Sequence, residues 1–212
     1  MPEAFFTSDP HFDHENIIKY CNRPFSSVEE MNEGIIEANN KIVKPNDELY
    51  ILGDIVFGIN PRRLAEILSR LNGNKIIILG NHDTTQYFTR DIYKYEFKHK
   101  IRSYHYRILE LHGKQWGGYS PTLCHYPMLS WNASFHGSFQ LHGHTHGNIP
   151  FDPAVKRLDV GVDSNSFKPW NWEEIVVKLK DIPTPKEQFE AKKKAKIELE
   201  NLSNMVKAST KD

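Results

Sequence analysis

The stretch Asn74-Lys-Ile-Ile-Ile-Leu-Gly-Asn-His-Asp83 constrains this chain most. A short β-branched apolar run bounded by turn residues suits a strand, Lys75 to Leu79, covered on both faces. Gly80 permits a sharp turn and a close backbone approach to a ligand. Asn81, His82 and Asp83 then stand at a strand's carboxyl end, where open α/β sheets place their chemistry. Taken alone, Gly-Asn-His-Asp is equally well a plain turn, because Gly, Asn and Asp all favour turns. The rest of the chain decides between the two.

The same design recurs along the sequence. Ala4-Phe5-Phe6-Thr7 reads as a strand that delivers Ser8-Asp9-Pro10-His11-Phe12-Asp13-His14. Asp and His one residue apart can point to the same side of an extended segment, and both are ligands for Zn, Mn or Fe. Leu49 to Leu52 reads as a strand ending in Gly53-Asp54. Pro121 to Cys124 leads into His125, and Phe139 to Leu141 leads into His142-Gly143-His144-Thr145-His146-Gly147. Leu158 to Asp163 reads as another strand, and Trp170 to Leu179 as an edge strand. The alternation Tyr104, Tyr106, Ile108 against His105 and Arg107 predicts a half-exposed strand. His99, His105 and His112 read as surface or interstrand histidines.

Helices fall between these strands. Ser27 and Glu30 form a capping box for a helix from Val28 to Val43, with an apolar stripe Val28, Met31, Ile35, Ala38 and Ile42. Asn60 caps a second helix, Pro61 to Leu71, whose stripe is Leu64, Ile67, Leu68 and Leu71; Gly73 ends it. Leu49 to Leu79 is therefore a βαβ unit with parallel, buried strands. Thr184-Pro185-Lys186-Glu187 starts a final helix with a narrow stripe of Ala195, Leu199, Leu202 and Val206. Lys192 to Lys194 reads as a solvated charge run. The reading gives a domain over residues 1–182 and a charged helical extension over 183–212.

Bulk properties narrow the class. The 212 residues are enough for one domain. Hydrophobic content of 39% and charged content of 25% fit an ordinary soluble chain. A formal net charge of zero argues against a surface-wide polyanion binder. Cys21 and Cys124 have no framework spacing, which predicts a reducing compartment. No apolar run approaches about 18 residues, and the N-terminus lacks a secretory pattern. A cytoplasmic location and no membrane partner are the expectation. Eleven histidines exceed what packing needs.

Five polar clusters thus follow strands in order: Asp9-x-His11, Gly53-Asp54, Gly80-Asn81-His82-Asp83, His125 and Gly143-His144-x-His146. In order, residue type and spacing they resemble the calcineurin-like metallophosphoesterases, over residues 4 to 165. The resemblance implies an α/β fold of two packed mixed β-sheets flanked by helices, a four-layer sandwich. It implies a dinuclear site in which Asp9, His11 and His146 hold one metal, Asn81, His125 and His144 hold the second, and Asp54 bridges both. Such an ion pair turns a bound water into a nucleophile near neutral pH. His82 would protonate the leaving alkoxide or stabilise the transition state. Two divalent ions are implied; the N/O ligand set suits Mn, Fe or Zn and disfavours a soft metal, and Mn is the expected working ion, with Fe, Zn or Ni as alternatives.

Departures from the family pattern refine the reading. Protein Ser/Thr phosphatases carry Gly after the Asp-x-His motif, where this chain has Phe12. They follow Gly-Asp with an acidic residue and an Arg, where this chain has Ile55-Val56-Phe57-Gly58. Asp83 and Asp13 are the candidate orienting partners of His82. The run Ser8 to Ile18 with Arg23-Pro24-Phe25 resembles a short bacterial and phage branch of phosphoesterases. Within it His14 and Arg23 are candidate substrate contacts, Arg23 otherwise being a solvated loop residue. A small chain with few insertions favours an open site and a phosphodiester, such as a cyclic nucleotide or nucleic-acid end. The alternatives are a monoesterase on a small nucleotide or metabolite, and a silent binding scaffold with the same fold. Loss of His82 or of ligands would mark the scaffold, and all are present. The apolar stripe of the final helix is a candidate for homo-oligomer formation.

Overall fold

The computed structural model describes residues 2–58, 61–83, 101–103 and 108–209. Its first sheet grows from short buried strands: β1 (Ala4–Thr7), β2 (Glu48–Ile51), β3 (Asn74–Ile77) and β4 (Ile101–Ser103). All four run parallel, in the order β4-β3-β2-β1, and β9 (Trp170–Asn171) adds antiparallel to β1. The second sheet has the order β5-β6-β7-β8, from β5 (Ile108–Glu110), β6 (Thr122–Cys124), β7 (Gln140–His142) and β8 (Arg157–Asp159). Here β6, β7 and β8 are parallel and β5 is antiparallel to β6. Both sheets are mixed, as the family resemblance implied.

Alternation along the strands divides the core in two. Leu49, Ile51 and Ile77 face α1 (Glu15–Tyr20), α2 (Val28–Ile42) and α3 (Pro61–Arg70), where they meet Met31, Ile35, Leu64, Ile67 and Leu68. Phe6, Tyr50, Leu52 and Ile76 face the other way and pack on Leu123, Leu141 and Leu158 of the second sheet. The βαβ unit from β2 through α3 to β3 is present with the expected parallel register, Leu49 opposite Lys75 and Ile51 opposite Ile77. This arrangement brings the carboxyl ends of β1, β2 and β3 together with those of β6 and β7.

Two expectations need correction, and one helix was not expected. Trp170 to Leu179 is not one edge strand: only Trp170–Asn171 pairs with β1, and Trp172–Leu179 forms α4. Asn171 accepts from Glu173 N–H at 2.8 Å while Glu174 accepts from Asn171 N–H at 3.1 Å, a capping box at that point. Trp172, Ile175 and Leu179 then recur at helical spacing and are buried. Leu158 to Asp163 is strand only to Asp159 and then turns through a 3-10 segment, Val162–Ser164. The six residues of α1 had no strong periodic signal, since so short a helix shows less than two turns of pattern. The Gln86–Lys100 stretch, Tyr104–Arg107, His99, His105 and the N-cap Asn60 lie outside the described residues, and β5 begins at Ile108.

The final helix, α5 (Pro185–Ser209), starts at the expected cap, with Thr184 Oγ1 accepting from Glu187 N–H at 3.2 Å and Glu187 accepting from Thr184 N–H at 2.7 Å. Its residues Phe189, Leu199, Leu202 and Met205 are exposed. No helix among the described residues is long and apolar enough to cross a membrane.

Candidate metal centre

The loops that leave β1 and β2 extend the sheet beyond the strands. Asp9 N–H donates to Gly53 O at 3.1 Å, His11 N–H to Asp54 O at 3.1 Å and Phe12 N–H to Ile55 O at 2.9 Å. Around this ladder and in the loop after β7 the backbone takes an unusual form. Asp9, His11, Asp54, His144 and His146 have φ of 56°, 49°, 54°, 68° and 49°. Left-handed backbone is costly for residues with a Cβ, and such residues concentrate at functional sites. Two glycines make room for the carboxylates. A Cβ on Gly80 would collide with Asp54 Oδ1, and one on Gly143 would collide with Ser8 Oγ and Asp9 Oδ2.

Two groups of ligand atoms result. Those of Asp9, His11 and His146 lie within 4.8 Å of one another, and so do those of Asp54, His125 and His144. Asp54 joins the groups: its Oδ2 is 3.6 Å from His11 Nε2 and 3.5 Å from His125 Nε2. Asn81 Oδ1 lies 2.9 Å from His125 Nε2. The structure therefore assembles all seven candidate ligands and His82 in one place.

The donor set fits cations. Asp9 Oδ1 and both ring nitrogens of His11 are buried without a hydrogen-bond partner among the described residues. Leaving such groups unsatisfied costs about 1–3 kcal/mol each. His125 Nδ1 lies 2.8 Å from Leu52 O and must donate to it, so a neutral ring offers only a lone pair at Nε2. That nitrogen lies 2.9 Å from Asn81 Oδ1, so one cation could take both atoms as ligands. Burial pushes Asp9 up to about 7, against the pull of His125 and His146. Burial also pushes His11 down to about 2, reinforced by the positive neighbours His146 and Arg23. The second effect keeps His11 in its metal-binding form; a cation would reverse the first.

A set of outer contacts holds these ligands. Asp163 Oδ2 accepts from His146 Nδ1 at 2.8 Å, which leaves Nε2 for a metal. The same carboxylate takes Arg23 Nε and Nη2, each at 2.8 Å. Burial raises the Asp163 carboxyl, but the hydrogen bonds from His146 and Arg23 outweigh it and hold the group below the usual range. His146 is pulled down by burial, yet Asp163 and Asp9 together raise it. Arg23 also donates to Asp9 O and Pro10 O at 2.8 Å and to Met31 Sδ at 3.4 Å. Arg23 is thus neither solvated nor free to clamp a phosphate: it is buried, and five contacts use its five N–H groups. Asp159 accepts from Thr145 Oγ1, Gly147 N–H and Gly161 N–H, which fixes the loop carrying His144 and His146.

Asp83 and Asp13 do not orient His82 through a hydrogen bond. Asp83 accepts the N–H groups of Asp54 at 2.7 Å, Gly80 at 2.9 Å and Ile55 at 3.2 Å, so it ties the β2 loop to the β3 loop. Asp13 forms a two-pronged pair with Arg63 and binds Asn32. Sequence reasoning assigned no site role to Asp163 or Asp159. Their signal was two acids four residues apart at the end of a strand parallel to the His-bearing ones.

A family model for calcineurin-like phosphoesterases matches residues 4–153, a span that contains every candidate ligand from Asp9 to His146. The chain belongs to the calcineurin-like phosphoesterase family. It is 38% identical over 185 residues to an uncharacterised protein of Methanocaldococcus jannaschii, covering 84% of this chain and 92% of that one. The gene 66 protein of Mycobacterium phage L5 is 28% identical, over 77% of this chain and 88% of its own. A crystal structure of an Aquifex aeolicus protein of unknown function shares the fold with a TM-score of 0.63 at 26% identity, over 82% of this chain and 98% of that one. The phage relative fits the short branch that the N-terminal motif resembled.

In this phosphoesterase, His82 stands at the mouth of the site. Its side chain is 47% exposed and its Nε2 lies 3.9 Å from Asp54 Oδ2, while its N–H donates to Asp54 Oδ1 at 2.9 Å. His14 caps α1, its Nδ1 accepting from Ile17 N–H at 3.0 Å. A third grouping, Cys21 with His146 and Asp163, shares His146 with the centre. Burial pushes the Cys21 thiol up to about 11, and Asp163 is already paired with Arg23, so thiolate ligation is disfavoured.

Proposed function

We propose that this protein hydrolyses a phosphodiester with two divalent cations, one held by Asp9, His11 and His146 and the other by Asn81, His125 and His144, with Asp54 between them. The observation that carries this reading is the set of buried atoms Asp9 Oδ1, His11 Nδ1 and His11 Nε2, which have no hydrogen-bond partner among the described residues, close to Asp54. When bound, the cations would activate a water and neutralise charge on the phosphoryl oxygens. Asp54 is the residue within reach of both groups. His82, exposed at the rim, supplies a proton to the leaving oxygen. Manganese is the ion proposed first; nitrogen and oxygen ligands without sulfur suit Mn, Fe and Zn alike.

The diester reading is favoured by the open rim, where His82 and His144 are both exposed to solvent. Side-by-side turnover of bis-aryl and mono-aryl phosphate tests it, with the bis-aryl ester expected to be preferred; a monoester preference would overturn it. His82→Ala is expected to cut turnover by at least about tenfold while bound metal stays near the wild-type content. Unchanged turnover would remove His82 from its role. Absence of hydrolysis with any divalent metal would leave the scaffold reading.

A further inference from the structure

Three rings beside the metal centre take no part in assembling it. Phe57 follows the Asp54 loop and is 50% exposed, and Tyr20 at the end of α1 is 73% exposed. Between them lies buried His14, its ring 4.0 Å from Phe57 and 6.2 Å from Tyr20. His14 is 5.6 Å from His11, and His11 is 5.4 Å from His82. The rings therefore lead outward from the centre, with Phe57 and Tyr20 one imidazole beyond His11. Phe57 is held in place: its N–H donates to Phe12 O at 2.8 Å, and Phe12 bridges to Val56. Its neighbours Ile55 and Val56 are buried, whereas Phe57 remains exposed at the site.

His14 adds polar definition. Its Nδ1 lone pair is used by Ile17 N–H, so the neutral ring carries its proton at Nε2 and is a donor there.

We propose that Tyr20 and Phe57 form a stacking platform for a nucleobase of the substrate, with His14 Nε2–H donating to its sugar-phosphate. The substrate class is then a nucleobase-bearing phosphoester, an inference that rests on the phosphoesterase reading of the same centre. Aromatic side chains bind bases through their π-faces without sequence preference. Spacing separates this class from aryl phosphates. An aryl phosphate carries its ring one oxygen from phosphorus, whereas a nucleotide interposes a sugar, matching rings that stand past His14.

The test is calorimetry on the manganese-loaded full chain with thymidine 5′-monophosphate, ribose 5-phosphate and phosphotyrosine. The wild type is expected to bind the nucleotide at least about tenfold tighter than ribose 5-phosphate. In Tyr20→Leu/Phe57→Leu that ratio falls towards one. Equal binding of the first two ligands by the wild type, a ratio that survives in the variant, or a preference for phosphotyrosine would each overturn the proposal. Phe57→Leu alone carries the same comparison if the double variant folds poorly. A kinetic arm compares the p-nitrophenyl esters of thymidine 5′-monophosphate and of methyl phosphate, which share a leaving group. Failure to hydrolyse both of these diesters overturns the phosphodiester reading, whereas the calorimetric ratio reports the platform independently.

Discussion

Asp163 shows how much one side chain can organise. It takes His146 on one oxygen and the Arg23 fork on both, and Arg23 reaches on to the carbonyls of Asp9 and Pro10. One buried ion pair therefore ties the Asp9-x-His11 loop to the candidate ligand His146. Asp163→Asn is expected to lower metal affinity by about 10- to 100-fold, read by metal titration and elemental analysis. It should also lower the melting temperature, because Arg23 would keep its charge in a buried place with a weaker partner. Lys75 is a separate case. It is buried in β3, its Nζ donating to Leu71 O, and burial pulls its pKa from 10.5 down to about 7. Between those values the unfolded chain holds a proton that the folded chain lacks, so this residue's contribution makes stability rise with pH across that window. Lys75→Met is expected to raise stability at pH 7 by about 1–3 kcal/mol. Thermal melts should show the gain shrinking as pH rises towards 10.5.

At the scale of elements, the centre is a product of strand ends and the tight loops that leave them. Gly143 lies where a Cβ would meet Asp9 Oδ2 and Ser8 Oγ. Gly143→Ala is expected to displace the Asp9 loop from the His144 loop, with metal content falling well below that of the wild type. Retained full metal content on elemental analysis would show that the loops can give way. The same scale shows why parts of the fold were legible. β2, α3 and β3 announced themselves through a short apolar strand, a capped helical stripe and a β-branched strand, all local signals. Trp170 to Leu179 misled because aromatic and β-branched residues favour strands, whereas the Asn171–Glu174 box and the burial of Trp172, Ile175 and Leu179 decided for a helix. Arg23 read as a surface residue because nothing within the chain near position 23 announces Asp163, its partner across the fold.

At the scale of the whole molecule, two parallel arrays of strands place their carboxyl ends against each other, and α5 stands largely outside that body. Gln188 bonds Ala154 O and Pro183 O at its start, while the residues from Lys186 onward are mostly exposed. A chain ending at Pro183 is expected to keep its melting temperature and aryl-ester turnover, measured against the full chain. The same two chains on a sizing column test the self-association proposed for the exposed stripe, the shorter one eluting as a monomer.

The sequence by itself determined the strand-end motifs, their order, the types of the candidate ligands and the parallel βαβ unit, because each depends on residues close together in the chain. Only the tertiary structure decided that Arg23 serves Asp163, that Asp83 ties two loops together, and that Tyr20 and Phe57 meet across His14. The reason is that hydrogen bonds and ring contacts depend on distance in space, and these partners become neighbours only when separate strands and helices close around the centre.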